Sequence, residues 1–281
     1  MSKGVQYMIF ATFIFGVMNV FVKMLPGIPA VEIVFFRSLI SLALSYFMLR
    51  RQQVSVWGKR RGWLFLRGLA GAIALILYFY TLQVIPLATA VTIWFIVPIF
   101  ASIIGIFLNK ERVPFLQWVF YLIAFAGVVM VEGFDPRVTP ALLLIGITAA
   151  LFAGFAYNFI RKINTTEHPL VIIFYFPLVT LPLTGAWSAF NWVMPEGWDW
   201  LLLLLVGLLT QVAQFFLTKS YQLEEVSKVS SLTYLGLIYA LIFGWIFFDE
   251  TFNAQTYAGM GVVLVGVVLS IWYKHKYPTK K

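Results

Sequence analysis

Two stretches of this chain, 139 positions apart, are versions of one another. Gln83–Glu111 reads QVIPLATAVTIWFIVPIFASIIGIFLNKE, and Gln222–Glu250 reads QLEEVSKVSSLTYLGLIYALIFGWIFFDE. Each is a short polar connection, then about twenty mostly apolar residues, then a charged end closing on glutamate. At this offset Gln83 matches Gln222, Ala101 matches Ala240, Gly105 matches Gly244 and Glu111 matches Glu250. Upstream, without a gap, the register pairs Asn19 with Asn158, Lys23 with Lys162, Phe35 with Phe174 and Gly68 with Gly207. Downstream it pairs Gly127-Val-Val with Gly266-Val-Val. Apolar matches come cheaply in a chain that is 62% hydrophobic, but paired Asn, Lys, Gln and Glu do not. The chain reads as a duplicated unit.

Only 11% of the 281 residues are charged. A soluble globule must cover itself with polar groups, and this composition cannot do so. A bilayer is the simpler solvent. The net charge of +9 then reads as cationic loops at the cytoplasmic face, not as a nucleic-acid footprint. There is no cysteine, which excludes disulfides and thiol chemistry. His168 and His275 are the two histidines, too few for a His-rich metal site. No metal and no cofactor is expected. The first apolar run is long and contains Asn19 and Lys23, so it reads as a first span and not as a cleavable signal.

Ten runs have the length of a bilayer-crossing helix: 5–25, 30–49, 63–82, 87–108, 115–132, 139–160, 169–190, 198–218, 226–248 and 254–273. They are too long for barrel strands and lack strand alternation. The expected fold is an all-α integral membrane protein. Arg50, Arg51, Lys59, Arg60, Arg61, Lys110, Arg112, Arg161, Lys162, Lys219, Lys228 and the lysine tail fall on one side if both termini are cytoplasmic. The other side carries mostly acids, among them Glu132, Asp135, Glu196 and Asp199. Five spans per copy is an odd number, so the second copy (139–281) enters the membrane upside down relative to the first (1–138). Inverted repeats of this kind are a recurring transporter design, with the substrate site near the midplane.

Three sets of residues stand out together: Asn19-x-x-x-Lys23, Glu32-Ile-Val-Phe-Phe-Arg37, and Ile85-Pro-Leu-Ala…Pro98…Glu111-Arg112 with Gly127-Val-Val. They carry a resemblance to the drug/metabolite transporter superfamily, in its ten-helix EamA-type branch. It is echoed by Glu225-Val-Ser-Lys-Val…Glu250-Thr…Gly266-Val-Val and covers nearly the whole chain. It departs at span 9, where Leu237 stands opposite Pro98 with Gly236 beside it. The resemblance implies a carrier of amino acids or related metabolites in a cell membrane. Nucleoside-derived cofactors, riboflavin and drug-like amines are the other substrate classes it implies.

Ionisable groups at membrane depth are costly and functional by default. Lys23 and Glu32 flank the Pro26–Pro29 turn symmetrically, which predicts an ion pair near the outer surface; the other reading makes Glu32 a proton-coupling group. Arg37 lies about 7–8 Å deeper on the same helix and must face protein or a wet cavity. The resemblance favours a structural role for it over contact with an anionic substrate group. In span 8, Gln211, Gln214 and Thr218 share one helical face, whereas Ala72 and Leu75 stand at the first two equivalent positions. That polarity is not demanded by the duplicated frame, so it points to a ligand. Ser227, Ser230, Ser231 and Tyr234 make a second stripe in span 9. Asn19, Tyr78, Trp94, Tyr157, Gln211, Gln214, Ser230 and Tyr234 are the expected substrate-contacting set.

No Walker loop, GxSxG elbow, HExxH pair or zinc spacing is present. The energy source is therefore a gradient or exchange, with protons the candidate coupling ion. The expected partners are a small solute and the bilayer, in a monomer or weak dimer. An intramembrane enzyme using Glu32 with Glu224 and Glu225 is a second reading. A channel is a third, and it would need a continuous wet pore.

Overall fold

The computed structural model describes all residues except 1, 111–112, 135–136, 225–228, 230–231, 234 and 277–281. Among the described residues the chain is helical, with eleven principal helices and no strand. They are α1 (Lys3–Lys23), α2 (Ala30–Arg51), α3 (Arg61–Val84), α4 (Leu87–Trp94) and α5 (Val97–Asn109). There follow α6 (Phe115–Phe134), α7 (Pro140–Lys162), α8 (Pro169–Ser188), α9 (Asp199–Leu223), α10 (Leu235–Phe248) and α11 (Ala254–Lys276). Seven segments of the described residues, counting α4 and α5 as one, are long and apolar enough to cross a membrane. Many large apolar side chains point outward, including Phe47, Phe107, Phe115 and Trp245. In water such a surface would aggregate; in lipid it is solvated.

The helix ends follow local chemistry. Ser2 and Thr139 cap α1 and α7 by accepting from the N–H groups of Val5 and Leu142. His168 caps α8 through Nδ1, which accepts from the Leu170 N–H at 3.3 Å. Burial, with the Lys219 charge second, holds its pKa below the ordinary histidine value and keeps that nitrogen an acceptor. The Gly58 and Gly197 turns have φ of +57° and +48°, a left-handed conformation that favours glycine.

The fourth apolar run is not one helix, as its length suggests, but two. Pro98 has no N–H to give to the carbonyl of Trp94, and its ring crowds that carbonyl. The chain passes through tighter turns there, with the N–H groups of Phe95 and Ile96 donating to Thr92 and Ile93. The break aims Trp94 inward. In the ninth run the described helix is α10, shorter than the 226–248 expected.

The packing brings the two halves together along their length. α1 lies against α9 and α3 against α7; α2 meets α8 and α9, and α3 also meets α8. α5 packs on α7, α10 on α1 and α4, and α6 pairs with α11. The loop before α3 is fastened by Glu167, whose Oε1 accepts the N–H groups of Lys59 (2.7 Å) and Arg60 (2.5 Å). Helices α1, α2, α3, α4, α7, α8, α9 and α10 all contribute side chains to a central cavity.

Candidate functional site

The cavity has a volume of about 120 Å³. One wall is aromatic and amide. The Asn19 side-chain N–H donates to the Tyr78 hydroxyl at 2.9 Å, and the Tyr78 ring lies against Trp94 with centroids 4.3 Å apart. Tyr157 enters from α7, braced by the buried Tyr221 ring at 4.7 Å. Asn19, Tyr78, Trp94, Tyr157 and Gln214, expected from sequence to contact a solute, all line this one cavity.

The other wall is cationic. Arg37 and Arg67 are 1% and 2% exposed, so each guanidinium is out of contact with bulk water. Arg37 Nε donates to the Thr210 hydroxyl at 2.7 Å. Arg67 Nη2 donates to the Gln214 carbonyl oxygen at 3.3 Å. Both guanidiniums lie over the Phe176 ring, at 5.1 and 4.7 Å from its centroid, contacts that partly offset a buried cation. Gly71 makes the room: a Cβ there would lie 2.8 Å from Arg67 Nη1 and 2.8 Å from the Phe176 ring.

Several sequence expectations are corrected. Lys23 and Glu32 do not pair. Lys23 Nζ reaches Glu250 at 3.1 Å and the Ile85 carbonyl at 2.8 Å. Glu32 is fully buried and accepts from the Val193 N–H at 3.1 Å. Symmetry about one turn placed the two charges at equal depth but could not reveal that the connection after α10, 227 residues on from Lys23, brings a closer carboxylate. Gln211 is not in the cavity wall. Its Oε1 accepts from Ser41 at 2.6 Å, and its Nε2 donates to the Ser45 hydroxyl at 2.9 Å, fastening α9 to α2. A three-residue step on a helix turns the side chain by about 60°, enough to send Gln211 to a neighbour and Gln214 to the cavity. Ser230 and Tyr234 lie outside the described residues, as does Glu111.

This division yields a paired prediction. Gln211→Leu strands two buried serine hydroxyls, so it should lower stability by about 1–3 kcal/mol while leaving solute affinity unchanged. Gln214→Leu should weaken affinity by about 1–2 kcal/mol, with a smaller stability loss than Gln211→Leu because the contact it gives up, from Arg67, is long at 3.3 Å. Thermal unfolding and solute binding measured on both purified variants check it; the reverse assignment of effects would contradict it.

Arg67 was not singled out by sequence reading. It follows the basic 59–61 segment closely, so it reads as one more topology-setting charge. The missed signal is its stripe: Arg67, Gly71, Leu75 and Tyr78 recur at helical spacing and all line the cavity. Among the described residues, no group of three or more His, Cys, Asp or Glu side chains could hold a metal.

Comparison with known proteins gives a consistent picture. Residues 2–132 and again 140–272 match the model of the EamA-like transporter family. A pseudopaline exporter of Pseudomonas aeruginosa is 33% identical over 96% of both chains. Solute carrier family 35 member G1 of Mus musculus is 30% identical over 94% of this chain and 76% of its own length. An S-adenosylmethionine uptake transporter of Rickettsia felis is 24% identical over 77% of this chain and 74% of its own. A solved crystal structure superposes with a TM-score of 0.77 at 17% identity, covering 98% of this chain and 99% of that one, a likeness of fold.

Proposed function

The chain belongs to the EamA-like transporter family, and from that premise we propose a ten-span secondary transporter that carries a small organic metabolite through the central cavity by alternating access. Its ten spans form two inverted five-helix repeats, residues 1–138 and 139–281. Three shorter apolar helices join the seven long segments to make the ten. Asn19, Tyr78, Trp94, Tyr157, Gln214, Arg37 and Arg67 contact the solute. Lys23 and Glu32 are structural, one closing on Glu250 and the other holding the 193 backbone. Relatives named for export and for uptake both occur, as suits a reversible carrier whose net direction is set by gradients.

The observation that carries this reading is that contacts recur at the 139-residue offset. Gln83 Nε2 donates to the carbonyls of Leu25 and Ile28 (2.9 and 2.8 Å), and Gln222 Nε2 donates to those of Asn164 and Glu167 (3.4 and 3.0 Å). A Cβ on Gly68 would meet Val179, and one on Gly207 would meet Ile40, the same contact with the halves exchanged. Helix pairings exchange likewise: α1–α9 with α3–α7, and α2–α9 with α3–α8. The cavity is bounded by such equivalents: Met18 and Tyr157, Leu75 and Gln214, Tyr78 and Leu217, Trp94 and Thr233, Arg37 and Phe176. A pseudo-two-fold axis through this cavity accounts for all of these, and the side chains that differ across the axis supply selectivity. Rocking the halves about it would expose one site to each face in turn.

Two measurements test this reading. Purified protein in proteoliposomes preloaded with a metabolite panel should show saturable counterflow; linear flux would indicate a channel, and chemical conversion an enzyme. For orientation, with both termini cytoplasmic, single cysteines suit Gly27 and Gly62, where a Cβ meets nothing within 4 Å. Gly27→Cys should react with an impermeant thiol reagent outside intact cells, and Gly62→Cys should react only after permeabilisation. The reverse pattern would overturn the orientation.

A further inference from the structure

The Arg37 and Arg67 guanidiniums share the Phe176 ring at one wall of the cavity, yet no carboxylate of the protein reaches either one among the described residues. Their polar contacts are to neutral oxygens, the Thr210 hydroxyl and the Gln214 amide. Arg37 Nη1 and Arg67 Nε are buried without a hydrogen-bond partner. Two buried cations side by side, each short of an acceptor, are costly in low dielectric until a negative group joins them. Two buried acids among the described residues are engaged elsewhere: Glu250 is held by Lys23 and the Leu87 N–H, and Glu32 by the Val193 N–H.

Resting on the carrier reading above, we propose that the solute is an organic anion whose carboxylate seats at the Arg37–Arg67 pair. A planar carboxylate offers two acceptor oxygens matched to guanidinium edges. A phosphate monoester would bring more charge and more oxygens than these two partly engaged forks can satisfy in so apolar a cavity. The remainder of the solute lies toward the aromatic wall, so selectivity among acids comes from the Trp94 side and the requirement for an acid from the arginine side. Gly71 keeps Arg67 in place, since any side chain there would displace its Nη1.

The test is counterflow by wild-type protein with matched probes: amino acids, mono-, di- and tricarboxylates, each beside its amide and methyl ester, together with phosphate monoesters and amines. The exchanged solutes should be carboxylates, and masking the carboxylate should slow exchange at least tenfold. Arg67→Gln should slow exchange of those acids at least tenfold, with partial recovery in Arg67→Lys. Gly71→Ala gives the same readout with both arginines retained, should Arg67→Gln fail to fold. Amides, amines or phosphate monoesters exchanged as fast as the acids would overturn the proposal while sparing the carrier. Exchange of no probe at all would instead defeat the carrier reading, and the anion inference with it.

Discussion

Glu250→Ala is expected to destabilise the folded protein by about 3–5 kcal/mol, the range for removing one member of a buried ion pair. Two partners depend on this carboxylate. Lys23 lies 3.1 Å away, with the two side chains 14% and 7% exposed. The Leu87 N–H, first in α4, donates to both oxygens at 2.8 and 2.9 Å. Removal leaves the ammonium with the Ile85 carbonyl but no counter-charge, leaves a helix-initiating N–H without its acceptor, and unties the ends of α1, α4 and α10 at one point. Gly244 is part of the design, because a Cβ there would come within 2.6 Å of Glu250 Oε2. Glu250→Gln keeps one acceptor oxygen but loses the charge, so its loss should be smaller. Thermal unfolding of the detergent-purified variants reads this directly, and a transition unchanged in Glu250→Ala would refute the fastening role.

The second large effect is at the α6–α11 crossing. A Cβ on Gly127 would lie 2.6 Å from the Val263 nitrogen and 2.7 Å from the Gly259 oxygen. One on Gly266 would lie 2.7 Å from the Ala124 nitrogen and 2.8 Å from the Phe120 oxygen. These are backbone atoms that cannot swing aside, so the two helices must separate. Close helix approach through small residues is what drives association in lipid, where the hydrophobic effect between helices is absent. Gly127→Leu or Gly266→Leu should therefore cost at least the 1–3 kcal/mol or so of an overpacked core and sharply reduce the folded, monodisperse yield. Gly261→Leu is the control: nothing lies within 4 Å of its Cβ position, and its yield should match wild type. Equal yields across all three would mean that the crossing is not as close as described.

The sequence was legible where periodicity and duplication carried the information. The helical class, the seven long apolar segments and the offset of 139 follow from residues alone, because lipid forces every backbone group into a helix of predictable length. Five of the expected solute contacts converge on one cavity because depth along a helix can be counted from its ends. Pairings were not legible. Whether Lys23 meets Glu32 or Glu250 depends on loop geometry, and whether Gln211 or Gln214 faces the cavity depends on a 60° difference in a helix whose rotation only packing sets. Arg67 was hidden by the basic loop before it, although the small Gly71 four residues later marked the space its guanidinium fills.

The most direct test of the account is two-sided access to a single cavity position. Leu75 lines the cavity opposite Gln214 in the duplicated frame, and the chain has no native cysteine to confuse the result. In sealed vesicles, Leu75→Cys should react with a small impermeant thiol reagent added to either face. A solute identified by counterflow should slow both reactions. Reaction from one face only, whatever solute is present, would contradict alternating access.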